Sequence, residues 1–313
     1  MPVELPELPA AFLGRADRSA DEASWLARLP RLIGDLVQDW ELRVDGGFRH
    51  GAVAVALPVR SADGTRAVLK VGWPHLEADH EHLALQAWGG RGAVRLLRAD
   101  PRRSALLLER ADADRDLTAL PVLDACTAAA GLYRELHRPA LPQLRTLSAL
   151  TADWIRLLEG LEHSTQVPRR FVTEALSYAR GFVDDPSTDG RLLHTDLHYA
   201  NVLAVDPASA RASEPTADSW LAIDPKPVSG DPCFEVAPLL WNRWDEVQSA
   251  PRVRTAIADR FYAVVDTAGL DEARCRAWVV VRELVNVAYA LAEPQPDQQW
   301  ISVATTIVKA LPT

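Results

Sequence analysis

The segment "LLHTDLHYANVLAVD", residues 192 to 206, sets two histidines, two aspartates and an asparagine between apolar residues. Leu192 and Leu193 on one side, and Val202, Leu203 and Val205 on the other, predict two short buried strands joined by a polar loop. In that loop Asp196 could act as a base that orients an attacking hydroxyl, and Asn201, five residues on, could offer an oxygen to a metal ion. Further along, "AIDPKP" puts Asp224 directly after a strand-like apolar run, where its carboxylate would enter the same cleft. Asp196, Asn201 and Asp224 then form an oxygen-rich set suited to Mg²⁺ beside a phosphoryl group in transit.

Phosphoryl transfer also needs a cation on the phosphates and a cover over them. Lys70, in "AVLKVG", projects from a predicted strand, and a lysine there pairs with phosphate oxygens if an acidic neighbour holds it. Glu77 and Glu81 both qualify as that neighbour. Glu81 is preferred, because "EHLALQAW" sets it one turn ahead of the apolar residues that should face the sheet. The turn "DGGFRHGAV" supplies the cover, with Gly46, Gly47 and Gly51 allowing close approach of backbone, although its spacing is not G-x-G-x-x-G.

Each of these features has a plainer explanation when taken alone: an H-x-D turn is commonly just hydrogen-bonded, and a strand lysine is commonly solvated. Their order along one chain is what favours chemistry. His194 reads as a loop support. Two roles fit His198, contact near the phosphoryl group or orientation of the loop backbone, and two fit Lys226, neutralising phosphate charge or capping the chain locally. The tryptophans read mainly as packing residues.

Behind these residues lie the elements that must position them. Residues 21 to 40 have helical spacing with Pro30 as an expected kink or break. "GAVAVALPVR" and "RAVLKVGW" are strands joined through Asp63-Gly64, a strong hairpin signal. "HLEADHEHLALQAWGG" is a helix ending at Gly89-Gly90, and "AVRLLRAD" and "ALLLER" are two further strands. After "ERADADRDL" the periodicity is mostly helical, over 119–138, 148–162, 168–182, 234–247, 251–267, 271–292 and 298–310. The polar stretch 206–219 reads as a mobile loop. The expected architecture is α+β: a small antiparallel, five-stranded lobe over residues 1–110 with two helices, then a larger helical lobe over 111–313.

Composition narrows the function classes. A chain of 313 residues is long enough for two lobes, and no apolar run approaches the roughly 18 to 20 residues that cross a bilayer. The first residues lack a basic-then-apolar leader, so a cytoplasmic location and no membrane partner are expected. A net charge of -9 argues against nucleic acid and mildly favours cationic small molecules. Cys126, Cys233 and Cys275 are too scattered for a disulfide framework or a zinc site. Either a monomer or a dimer fits.

The order strand-lysine, helix-glutamate, H-x-D-x-x-x-x-N and I-D resembles the protein-kinase-like bilobal fold. H-x-D-L-H-x-x-N in place of H-R-D is similar to its antibiotic and small-metabolite kinases. "VLKVGWPHLEADHEHLAL", "LLLERADADRDL", "LLHTDLHYANVL" and "LAIDPKPVSGDPCFEVAPLLWNR" together resemble the aminoglycoside/hydroxyurea resistance kinase family over about residues 40 to 245. The resemblance implies ATP and Mg²⁺ as cofactors, Asp196 as catalytic base, Asn201 and Asp224 as metal ligands, and Lys70 with Glu81 as a phosphate clamp beneath the Gly51 turn. It makes Leu108, Glu109 and Ala111 part of a hinge whose backbone meets adenine, and Asp231 a structural brace for the catalytic loop. Thr195 replaces the arginine of eukaryotic kinases, Pro225-Lys226 replaces D-F-G continuation, and Glu235 replaces a common aspartate. The implied acceptor is a small-molecule hydroxyl, of a streptomycin-type aminoglycoside or of hydroxyurea. A sugar, amino sugar or choline-type alcohol is the alternative, and a pseudokinase that binds nucleotide without turnover is the rival from another class. A cationic acceptor would need carboxylates, for which Asp153, Glu283, Glu293 and Asp297 are candidates.

Overall fold

The computed structural model describes residues 4–14, 19–76, 79–209 and 220–311. The chain separates into two compact units, Met1–Asp112 with Ala204–Leu221, and Ala113–Leu203 with Ala222–Thr313. Segment 204–221, which lies in the helical part of the sequence, thus belongs to the first unit.

The first unit begins with α1 (Ala10–Leu13) and α2 (Ala20–Asp39). The Ser19 hydroxyl caps α2 by accepting the Glu22 N–H at 3.1 Å. The helix runs through Pro30 without the expected break. An interior proline costs about 3 kcal/mol, whereas Trp25, Leu29, Ile33, Leu36 and Val37 are all buried on one face, each worth roughly 1.5–3 kcal/mol. Packing therefore wins.

A sheet follows, built from β1 (Arg43–Val44), β2 (Arg49–His50), β3 (Ala54–Arg60), β4 (Arg66–Gly72), β5 (Leu96–Asp100) and β6 (Ala105–Glu109), with α3 (Glu81–Trp88) between β4 and β5. It is antiparallel in the order β1-β3-β4-β6-β5, and the short β2, absent from the five-stranded expectation, pairs with β3. Alternation decides its faces. Val55, Leu57, Val59, Ala67, Leu69, Val71, Ala105 and Leu107 join the core with α2. Their sequence neighbours Ala56, Val68, Lys70, Leu106 and Leu108 therefore point from the opposite face, with Ala56 and Leu106 as the cross-strand partners of Lys70.

The remaining strands are β7 (Ala111–Asp116), β8 (Arg191–Leu193), β9 (Val202–Val205), β10 (Trp220–Ala222) and β11 (Val228–Gly230). β7 and β11 were not expected as strands: "ADADRD" has no apolar alternation and "VSG" is three residues long. Pairing makes them strands, in a sheet ordered β10-β9-β7 and in the β11-β8 pair with Val228 opposite Leu193.

The second unit is mainly helical, with α4 (Val122–Leu136), α5 (Leu147–Gly160), α6 (Arg169–Asp184), α7 (Pro238–Trp241), α8 (Trp244–Gln248), α9 (Val253–Ala268), α10 (Glu272–Ala292) and α11 (Gln298–Ala310). The helix expected over 234–247 is instead a 3-10 turn at Pro232–Val236 followed by α7 and α8, separated at Arg243, whose φ of 56° is left-handed. α5 packs on α6, α4 on α9, and α10 on α6 and α11. Trp278 of α10 stacks on Phe182 of α6 at 3.8 Å between ring centroids. No described helix is long and apolar enough to cross a membrane.

Candidate active site

In the first unit, Lys70 Nζ lies 2.7 Å from both carboxylate oxygens of Glu81. β4 presents the lysine from the face away from α2, and Glu81 is the first residue of α3, so its carboxylate sits at the positive end of that helix. Both side chains are largely buried, at 15% and 6% exposure. Glu77, the other expected partner, lies outside the described residues. Gly51 closes the turn between β2 and β3, donating its N–H to the Ala54 carbonyl at 2.9 Å, and a Cβ added there would meet nothing within 4 Å. Leu108 and Ala111 are buried. Glu109 accepts the Arg95 N–H on its carboxylate at 3.0 Å and donates its own backbone N–H to the Arg95 carbonyl at 2.8 Å. Between Glu109 and Ala111, Arg110 reaches Asp45 at 2.7 Å and the Val59 carbonyl at 2.7 Å, fixing the end of β6.

In the second unit, the β8–β11 pair holds two loops side by side. Residues 194–201 leave β8, and residues 223–227 enter β11. Cross-bonds tie them: Lys226 N–H to the His194 carbonyl at 2.9 Å, Ile223 N–H to the Asn201 carbonyl at 2.9 Å, and the Thr195 hydroxyl to the Lys226 carbonyl at 2.6 Å. Asp196 and Asn201 belong together, because the Asn201 amide nitrogen donates to the Asp196 carbonyl at 2.9 Å. That bond commits Nδ2 and leaves Oδ1 as the acceptor, the atom a divalent cation would take. Asp224 follows Ile223 directly and has a left-handed φ of 59°, which aspartate tolerates. Lys226 Nζ reaches the Asp196 carboxylate at 3.1 Å.

The histidines sort by proton state. His194 is buried, accepts the Asp196 N–H on Nδ1 at 3.3 Å and faces the Ile223 carbonyl through Nε2 at 3.0 Å. Only the neutral form protonated on Nε2 satisfies both. Burial pushes its pKa down, against the pull of Glu235, Asp196 and Asp224. Burial lowers His198 as well, with Asp196 and Asp224 opposing and Lys226 assisting, so both carboxylates act on one imidazole.

The anchor of the loop is Glu235. Its Oε1 accepts the Thr195 N–H at 2.5 Å and its Oε2 lies 2.6 Å from His137 Nε2. Burial favours protonation of this carboxyl, but the His137 contact and the Thr195 N–H outweigh it and hold its pKa below the ordinary value. Asp231, expected to brace the loop, instead caps the Pro232–Val236 turn through the Cys233 N–H at 2.9 Å and accepts Trp278 Nε1 at 2.7 Å and Arg274 Nε. It ties that turn to α10, and Glu235 does the direct bracing. Two further supports carry no local signal in the sequence, His137 beside Glu235 and Arg282, whose guanidinium donates to the Thr195 carbonyl at 2.5 Å.

Two of the carboxylates considered for a cationic acceptor have other engagements. Asp153 pairs with Arg156 at 2.6 Å, and Asp297 caps α11 by accepting the Trp300 N–H at 2.9 Å. Glu293 is exposed at the end of α10. Glu283 is fully buried, and burial pushes its pKa up to about 8.

Comparison with known proteins adds an independent line. The family model described as aminoglycoside/hydroxyurea antibiotic resistance kinase matches residues 39–293. A streptomycin 6-kinase of Streptomyces glaucescens is 38% identical over 295 residues, covering 93% of this chain and 92% of that one. A hydroxyurea phosphotransferase of Kitasatospora aureofaciens is 37% identical over 320 residues, covering 98% and 86%. Among solved structures, a choline/ethanolamine kinase family protein from Mesorhizobium loti is similar in fold, with a TM-score of 0.57 at 16% identity over 92% of this chain and 94% of that one.

Proposed function

Because the chain belongs to the aminoglycoside/hydroxyurea antibiotic resistance kinase family, and is thus a small-molecule kinase, we propose that it transfers the γ-phosphoryl group of ATP to a hydroxyl of a streptomycin-type aminoglycoside or of hydroxyurea, in the cytoplasm. The observation that carries the reading is the bond from the Asn201 amide to the Asp196 main-chain carbonyl, which holds the proposed base and the proposed metal ligand in one short turn.

In this mechanism Asp196 accepts a hydrogen bond from the acceptor hydroxyl and aims its oxygen at the γ-phosphorus. Lys226 keeps Asp196 in place through their 3.1 Å contact. Lys70, steadied by Glu81, pairs with phosphate oxygens of the nucleotide, and the Gly51 turn lets backbone N–H groups approach them. Ala56, Val68, Leu106 and Leu108 give the face around Lys70 an apolar surface suited to adenine, with the Glu109–Ala111 backbone as the hinge. Asn201 Oδ1 and the Asp224 carboxylate would be the hard oxygen donors that hold Mg²⁺. When bound, the metal supplies positive charge against the phosphate oxygens.

The test is direct. Melting temperature is measured with and without Mg·ATP, and phosphate transfer is then assayed against streptomycin, other aminoglycosides, hydroxyurea and amino sugars. Expected is stabilisation by Mg·ATP and transfer to streptomycin or hydroxyurea, with Asp196→Ala losing about 10²–10⁴ in kcat and little nucleotide affinity. Stabilisation with no acceptor phosphorylated, or an Asp196→Ala protein with near-normal turnover, would overturn the reading.

A further inference from the structure

Thr195 precedes Asp196 and adopts a φ of 60°, a left-handed conformation that is costly for a β-branched residue. Such strain persists only where the surroundings over-determine it. Here they do: the Thr195 N–H donates to Glu235 Oε1, its hydroxyl donates to the Lys226 carbonyl, and its carbonyl accepts Arg282 Nη2 at 2.5 Å. On the other edge of the same peptide plane the Asp196 N–H donates to His194 Nδ1. Rotation of that plane would swing Asp196 out of position, and its carbonyl edge is held by one side chain.

Arg282 is built for this role. It comes from α10, 87 residues further along the chain, and its guanidinium lies over Phe234 at 4.3 Å and over Trp241 at 5.0 Å. A second nitrogen, Nη1, reaches the Phe234 carbonyl at 3.3 Å, so one rigid planar fork joins two carbonyls from two segments. A lysine has the charge but neither the plane for stacking nor the spread of donors. The aromatic contacts fix where the fork points. Without it the Thr195 carbonyl loses a charge-assisted partner, and the left-handed residue loses a restraint.

We infer that Arg282 is a positioning residue of the transfer reaction: clamped by Phe234 and Trp241, it locks the Thr195–Asp196 peptide plane and thereby the aim of Asp196. The inference rests on Asp196 being the base, and the test separates the two. Arg282→Ala, Arg282→Lys and Asp196→Ala are assayed with Mg·ATP and whichever of streptomycin and hydroxyurea turns over, in the absence and presence of guanidinium chloride at tens of millimolar, with equal NaCl as the control. Arg282→Ala should lose 10- to 100-fold in kcat with the KM for ATP within about twofold. Guanidinium should restore part of that turnover, NaCl should not, and Asp196→Ala should respond to neither. Arg282→Lys should fold and still lose kcat.

Unchanged kcat in both Arg282 variants, with Asp196→Ala inactive, overturns the inference and leaves the reading of Asp196 intact. So does a kcat loss in a protein of wild-type melting temperature that guanidinium fails to relieve. If Arg282→Ala is too unstable to assay, Arg282→Lys decides: lowered kcat with an unchanged KM for ATP supports the inference, and unchanged kcat overturns it. Full activity of Asp196→Ala sinks the reading itself.

Discussion

Lys70 and Glu81 form a two-pronged ion pair, with Nζ 2.7 Å from each carboxylate oxygen, between the middle of a strand and the first residue of the following described helix. Two nearly buried charges must stay paired, because either one left alone in such a place costs about 3–5 kcal/mol. Glu81→Gln keeps the shape and removes the charge. It should lower kcat/KM for ATP by about 10- to 100-fold, the worth of a charge-assisted hydrogen bond, while Lys70→Met should also lower the melting temperature by stranding Glu81. Steady-state kinetics with varied ATP, alongside thermal melts, checks both.

Asn201 and Asp224 are the oxygen donors proposed for Mg²⁺, and they lie on two loops joined by the Ile223 N–H to Asn201 carbonyl bond. Asn201→Ala should raise the Mg²⁺ concentration for half-maximal activity by about tenfold or more. Asp224→Asn keeps the left-handed backbone accessible and removes the charge, so its defect should be partly relieved by raising Mg²⁺. A magnesium titration at saturating ATP reads this out. An unchanged requirement in both variants would remove these residues from the metal site.

What could be read from sequence follows how local each signal is. Helical spacing in "EHLALQAW" put Glu81 on the sheet-facing side, and the polar loop between two apolar runs marked Asp196 and Asn201, since each signal is contained within a few residues. The supports were invisible because their partners are remote: Thr195 and Glu235 lie 40 positions apart, His137 and Glu235 98, and Arg282 and Thr195 87. Nothing in "VRELV" distinguishes an arginine bound to a catalytic-loop carbonyl from one in solvent. β7 was hidden for a related reason, since its charged sequence becomes a strand only through its neighbours.

Glu235 links acid stability to the loop that carries Asp196. Its folded pKa is depressed, so its contribution is fully present above its ordinary pKa near 4.5 and is lost as pH falls through the lower folded value. Glu235→Gln removes the charge that Thr195 N–H and His137 meet. The variant should be less stable than the parent at neutral pH by an amount that shrinks below about pH 4.5, as the parent protonates. Urea unfolding at a series of pH values tests this. A stability gap independent of pH down to the parent's acid transition would count against an ionised Glu235.

Glu283 has the opposite sign. It lies on α10 with no exposed surface, and burial pushes its pKa up to about 8 from an ordinary 4.5, against the smaller opposing pull of Arg282 and Asn286. The folded protein therefore keeps a proton there that the unfolded chain releases, and stability is lost as pH rises from 4.5 towards 8. At pH 7 the 2.5-unit difference corresponds to about 3 kcal/mol, a large fraction of the 5–15 kcal/mol that typically separates folded from unfolded chains. Glu283→Gln has a similar shape and cannot ionise. Whatever its offset at pH 4.5, its stability relative to the parent should climb by about 3 kcal/mol between pH 4.5 and 7 and level off above about pH 8, measured by urea unfolding. A flat difference across that range would mean that Glu283 is ionised in the fold, with the charge of Arg282 outweighing burial.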